Sequence, residues 1–183
     1  DDVAFSAALV QEVSANICID SDRVYAVGGS NGGMFVWDLG RDAQSAEVFT
    51  AVAPILGLPH RGYLDPPISE GGMPVISITG SRDRTVPPGD WEQESFTTTS
   101  DGDVYYYSSA SAITRVWAES HGCDTTVPAE SIDVGSSSME CRGWSYCQSD
   151  SQWPPVLDCR GDMGHIYKLS SSWPLILDFF EQL

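Results

Sequence analysis

Short apolar runs alternating with amphipathic segments predict an α/β fold, a mostly parallel sheet covered by helices on both faces. Three observations carry that prediction. Residues 23–27, 49–56, 75–78 and 156–159 are apolar, partly β-branched and only a few residues long, as strands buried on both faces should be. Between them lie stretches with helical spacing. Gly57 and Gly80 then close two of the apolar runs, as turn residues do.

The elements follow in order. Residues 3–17 place Phe5, Leu9, Val13 and Ile17 at i, i+4 spacing, with acids at the front where a helix dipole favours them. This predicts an amphipathic helix. Residues 23–27, Arg-Val-Tyr-Ala-Val, predict a strand that ends in glycines, and residues 31–39 a helix that buries Met34, Phe35 and Trp37 and stops at Gly40. Residues 109–119 predict a helix with Ile113, Val116 and Trp117 apolar and Gly122 just past its end. The polar stretch 124–155 reads as an ordered insertion or long loop, followed by a strand at 156–159 and a closing helix at 172–180. The six tryptophans divide in the same way. Trp37 and Trp117, at helical spacing, are core residues, whereas Trp91, just past a loop rich in charge, is the candidate for substrate contact.

Composition narrows the function classes. The net charge of −17 would repel a phosphate backbone or an anionic lipid surface, so neither nucleic acid nor a membrane is expected as a partner. No stretch is apolar and long enough to span a bilayer. The chain begins Asp1-Asp2-Val3 without methionine, so the absence of a signal peptide from it decides nothing about secretion. Of five cysteines, Cys123, Cys141, Cys147 and Cys159 crowd into the last third with no CxxC pair, which suggests disulfides instead of a zinc site. Three pairings are open to those four. Cys18 is left over.

Chemistry concentrates in Val27-Gly28-Gly29-Ser30-Asn31-Gly32-Gly33, a G-x-S-x-G run between a predicted strand and a predicted helix. A serine on such a sharp turn becomes an exposed nucleophile, and Gly28 and Gly32 are expected because side chains there would clash. The turn also aims the backbone N–H of Asn31 at a developing oxyanion. A phosphate loop fits poorly, since its lysine is absent and the three-glycine dinucleotide spacing does not match. In the α/β-hydrolase fold the acid and then the base follow the serine, each on a loop after a later strand. Asp83, in Thr79-Gly80-Ser81-Arg82-Asp83-Arg84, stands just past the strand at 75–78, with Asp90 as the alternative acid. His165, in Gly161-Asp162-Met163-Gly164-His165, follows the last strand. His121 reads instead as a helix C-terminal residue favoured by the dipole, and His60, upstream of the acid, as a loop residue.

The run from Ile19-Asp20-Ser21-Asp22-Arg23-Val24-Tyr25 to Gly29-Ser30-Asn31-Gly32-Gly33-Met34 resembles the secreted polyhydroxybutyrate depolymerase and feruloyl esterase family. Ala51-Val52-Ala53-Pro54, Gly80-Ser81-Arg82-Asp83 with Val86-Pro87, Trp117-Ala118 to Gly122-Cys123, and Gly164-His165 resemble further segments of it. The resemblance covers almost the whole chain. It implies an extracellular carboxylic-ester hydrolase acting on polyesters or on acylated plant polysaccharides, through Ser30, Asp83 and His165 and without metal or organic cofactor. Residues 1–183 then read as one α/β-hydrolase domain that lacks the family's opening strands and the loop donating the second oxyanion N–H, with a cysteine-bearing insertion at about 123–155. Without those strands the nucleophile strand would have a bare edge. Thr79 stands where such proteins often carry His, and Ile166-Tyr167 where Trp-Pro is usual. Two further readings remain open: a prolyl-oligopeptidase-type serine peptidase, and a non-catalytic carbohydrate-binding or structural relative.

Overall fold

The computed structural model of the chain describes residues 1–62, 72–90, 95–135, 137–147 and 152–183. Its first half runs α1 (Asp2–Asn16), β1 (Tyr25–Gly29), α2 (Asn31–Arg41), α3 (Ala43–Ala46), β2 (Ala51–Ile55) and β3 (Val75–Gly80). The second half runs β4 (Ser95–Thr98), β5 (Val104–Tyr107), α4 (Ala110–Ser120), β6 (Glu130–Ile132), β7 (Glu140–Gly143), β8 (Val156–Gly161) and α5 (Leu169–Phe180).

The central sheet has the order β1-β2-β3-β8-β7-β6. Its first four strands are parallel, and β7 and β6 add to it antiparallel. Strands β2 and β3 are buried along their whole length, which explains their unbroken apolar sequence. Helices cover both faces. Val36, Trp37 and Leu39 of α2 and Ile113 and Trp117 of α4 pack with Val52, Val75 and Val156 on one side. Leu175, Ile176 and Phe179 of α5 pack with Ala53, Ile76, Ile78 and Leu157 on the other. The mixed α/β architecture with a mostly parallel sheet is therefore as the sequence predicts.

Several elements differ from expectation for identifiable reasons. Strand β1 begins two residues later than predicted and is only half-buried, because among the described residues it pairs with β2 alone and forms the sheet edge. Val27 in its middle is 36% exposed. Helix α1 forms, but its covered side carries Val3, Ala7 and Val10, while Phe5, Leu9 and Ile17 face solvent. Spacing alone could not choose between two apolar stripes on one helix. Gly40 does not stop α2; it lies inside the helix, where an added Cβ would come within 3.1 Å of Val52 Cγ2. That glycine lets α2 approach β2. The closing helix starts at Leu169, three residues early, with Pro174 inside it.

The segment read as an insertion or loop contributes β6 and β7 to the sheet, and β4 and β5 make a separate hairpin. Short, half-polar strands carry too little periodicity to be seen. The C-terminal end of α4 does follow its signal. Gly122 has φ of 67°, its N–H donates to Glu119 O, and the Cys123 N–H donates to Ala118 O, the paired bonds of a Schellman cap.

Two disulfides join Cys123 to Cys147 and Cys141 to Cys159, and Cys18 is free and exposed. The second bridge links partners that face each other across β7 and β8. No helix among the described residues is long and apolar enough to cross a membrane. Alkylation without reductant should therefore label one cysteine, and a tryptic mass map should show Cys18 as that residue. Because a loop of this size closed by a bridge stabilises by about 3 kcal/mol, Cys141→Ser with Cys159→Ser should lower unfolding free energy by about that much in a denaturant titration.

His121 yields a pH prediction. Burial pushes its imidazole below the ordinary value of 6.5, opposed by a hydrogen bond to the Met73 backbone. The unfolded chain then takes up the proton first. The stability contributed by neutral His121 is present above pH 6.5 and is lost as pH falls below it. Unfolding free energy measured from pH 7.5 downward should begin to fall near the ordinary histidine value, and His121→Gln should flatten that first part of the decline.

Candidate functional site

Parallel pairing brings the ends of β1, β2, β3 and β8 to one side of the sheet, with Gly29 opposite Ile55, Ile55 opposite Ile78 and Gly80 opposite Gly161. The loops leaving those ends carry the predicted chemistry. Ser30 sits between β1 and α2 with φ 54° and ψ −119°, a backbone region that side chains rarely adopt. Several contacts hold it there. Its N–H donates to Ile55 O at 2.8 Å, and its carbonyl accepts from the Met34 N–H at 3.0 Å.

Glycine is required at some of these positions and not at others. A Cβ at Gly28 would lie 2.2 Å from the Gly32 carbonyl oxygen, and one at Gly57 would lie 2.3 Å from the Ser30 carbonyl oxygen. Gly33 is packed between Gly28, Ile55 and Gly57. Gly32, expected to be a steric necessity, has nothing within 4 Å of an added Cβ. Gly33 and Gly57 are therefore the glycines that spacing within the motif did not single out. The signal for Gly57 was present, since it closes the apolar run that becomes β2.

Asp83 follows β3 and is buried to 4% exposure. Its Oδ1 accepts the backbone N–H groups of Thr85 at 2.8 Å and Val86 at 3.0 Å, so this oxygen is fixed by the loop itself. Oδ2 is left for His165, whose Nδ1 lies 2.7 Å away. The other ring nitrogen, Nε2, is 2.9 Å from Ser30 Oγ. With the proton on Nδ1 donated to Asp83, Nε2 accepts from the serine hydroxyl. Behind Asp83 lies Tyr107, whose phenol is pushed above its ordinary value by burial first and by the Asp83 carboxylate second.

The acid and base loops are fastened together. The N–H groups of Ser81 and Arg82 donate to Gly161 O and Met163 O. A Cβ at Gly80 would fall 2.5 Å from Met163 O, which is how close the backbones approach. Arg82, one of the two arginines beside Asp83, pairs with Asp162 on the base loop at 2.7 Å and not with Asp83. Met163, 2% exposed, anchors the base loop in the core.

The other candidates lie elsewhere. Asp90 pairs with Arg160 at 2.8 Å, and Arg160 also binds Asp158. His165 Nδ1 is instead bound to Asp83. His60 stacks on Tyr107, and His121 caps α4. Trp91 lies outside the described residues. Trp37 and Trp117 are core residues in edge-to-face contact, with ring centroids 4.9 Å apart. The Asn31 N–H begins α2, at the helix end whose first N–H groups lack intrahelical partners. A cavity of about 780 Å³ between α4, β7 and β8 is lined by Trp144, Asp158 and Arg160, and none of Ser30, Asp83 and His165 lines it. Among the described residues no cluster of His, Cys, Asp and Glu could hold a metal ion.

No family model matches the chain, and no solved structure matches it. Among curated proteins, the chain is similar to one named "Putative esterase NocK" from Nocardia uniformis subsp. tsuyamanensis, 38% identical over 90 residues. That match covers 47% of this chain and 24% of the relative, so the chain matches about a quarter of that protein's length.

Proposed function

We propose that the chain carries the catalytic centre of a secreted serine carboxylic-ester hydrolase of the α/β-hydrolase type. The observation that supports this best is the Ser30–His165–Asp83 relay, at 2.9 and 2.7 Å, on loops in the order serine, acid, base. The mixed α/β sheet, the positive φ of Ser30 and the esterase relative agree with it. Extracellular location is supported by the two disulfides. Polyesters and acylated plant polysaccharides are the substrates that the sequence resemblance favours.

The chemistry follows from the contacts. Ser30 Oγ attacks the acyl carbon as its proton passes to His165 Nε2. Negative charge develops on the carbonyl oxygen, which the Asn31 N–H and the positive end of α2 stabilise. His165 then gives the proton to the alcohol oxygen as the C–O bond breaks, leaving an acyl-serine. Water, activated by the same imidazole, releases the acid and restores Ser30. Asp83, fixed by two backbone N–H groups, keeps Nδ1 protonated and stabilises the imidazolium. No metal or organic cofactor takes part in this sequence.

A fluorophosphonate probe should label Ser30, identified by peptide mass mapping, and an acetyl ester should be hydrolysed. Ser30→Ala and His165→Ala should each lower kcat/KM by at least about 10³-fold, and the double variant should be no worse, because the pair acts as a unit. Asp83→Asn should cost on the order of 10³–10⁴-fold through the wrong imidazole tautomer. Turnover of a prolyl peptide amide with no ester hydrolysis would overturn the esterase reading in favour of a peptidase.

The elbow makes a separate prediction. Gly28→Ala drives a methyl into the Gly32 carbonyl and should reduce stability by about 1–3 kcal/mol and abolish probe labelling. Gly32→Ala meets open space inside a helix and should raise the melting temperature, by up to about 1 kcal/mol of added stability.

A further inference from the structure

Beyond the base, the chain exposes large apolar side chains one after another: Ile166 at 67%, Tyr167 at 46%, Leu169 at 55% and Trp173 at 43%. Apolar surface gathered beside a reactive centre marks a place where something else is bound. Of these residues, Tyr167 is the one whose position the contacts define. A Cβ on Gly29 would fall 2.4 Å from Tyr167 Cε1 and 2.8 Å from its hydroxyl oxygen, so the hydroxyl end of the ring packs against the residue that immediately precedes Ser30. Its centroid is 6.4 Å from the His165 imidazole, on the same loop and two residues away. The absence of a side chain at Gly29 is what admits the ring. Among the described residues the phenol has no hydrogen-bond partner, so packing alone sets where the ring sits.

The direction of the proton transfer decides which half of an ester this ring would meet. His165 Nε2 must give its proton to the alcohol oxygen as that oxygen leaves the acyl carbon, so the oxygen comes within hydrogen-bond distance of the imidazole. Whatever is attached to it projects past the imidazole toward that ring's neighbours. Among the described residues its aromatic neighbour is Tyr167. We propose that Tyr167 is the specificity-determining residue for the alcohol portion of the substrate, and that this portion is an apolar alkyl or aryl group packed on the exposed half of its ring. This rests on the ester-hydrolase reading. Tyr167 is not a catalytic residue; it sorts alcohols by the apolar area they bury.

The test is a pair of substrate series on the intact protein: acetates of methanol, ethanol, butanol and hexanol, and methyl esters of acetic, butyric and hexanoic acids. For the acetates, kcat/KM should rise with alkyl length. Tyr167→Ala should reduce the hexyl-to-methyl ratio of kcat/KM about tenfold, while Tyr167→Phe should retain the ratio, since the hydroxyl is not used. Gly29→Ala, which displaces the far end of the ring without deleting it, should flatten the series in the same way and serves if the Tyr167→Ala protein does not fold. The acid series should keep the same slope in every variant. An unchanged alcohol slope in both Tyr167→Ala and Gly29→Ala would overturn the inference, as would a loss confined to the acid series. If the unsubstituted protein neither turns over these esters nor takes a fluorophosphonate on Ser30, the esterase reading itself falls, and the two failures are thereby told apart.

Discussion

Parallel register is the constraint on which the candidate site depends. Strands β1, β2, β3 and β8 point the same way and end nearly level, so the loops after β1, β3 and β8 must emerge on one side whatever their sequences. Residues 30, 83 and 165, far apart in the chain, meet for that reason. An antiparallel pairing of any one of these strands would send its loop to the opposite end of the sheet. The sheet does turn antiparallel at β7 and β6, but only beyond the last strand that supplies a site residue.

Register alone places loops within several ångströms; local packing does the rest. Gly28, Gly33 and Gly57 let the β1 and β2 ends and the start of α2 approach at backbone contact, which holds Ser30 in its unfavourable conformation. Gly80 allows the acid and base loops to touch in the same way, and the backbone bonds from Ser81 and Arg82 fasten them. The strain at Ser30 is thus maintained by contacts that involve little side-chain chemistry. Small residues, close backbones and one buried carboxylate fix the geometry.

Much of this was legible in advance, and for unequal reasons. Strands β2 and β3 are long enough and apolar enough to show themselves, and the G-x-S-x-G run between a strand and a helix announces its turn, although of its two glycines only Gly28 is sterically required. Chain order and strand ends restrict the candidates, favouring Asp83 over Asp90 and His165 over His60 and His121, and the structure brings Asp83, His165 and Ser30 within hydrogen-bond distance. Strands β6 and β7 were not legible, since Glu140-Cys141-Arg142-Gly143 owes its conformation to pairing with β8, and Glu130-Ser131-Ile132 to pairing with β7, and not to their own pattern. The covered face of α1 was misread because Phe5 and Leu9 compete with Val3, Ala7 and Val10 for the core, and tertiary packing decides between them. The fixing of Asp83 by the Thr85 and Val86 N–H groups has no sequence signature, because any residues there would supply the same backbone donors.

Among the described residues β1 pairs on one side only, and that edge bears on the acidity of the chain. A strand edge with an exposed valine is a template for edge-to-edge association, and the outer stripe of α1 adds further apolar surface. With 26 acidic against nine basic residues, two copies approaching through these surfaces repel each other before backbone bonds can form. Such repulsion weakens wherever salt or acid screens or neutralises carboxylates.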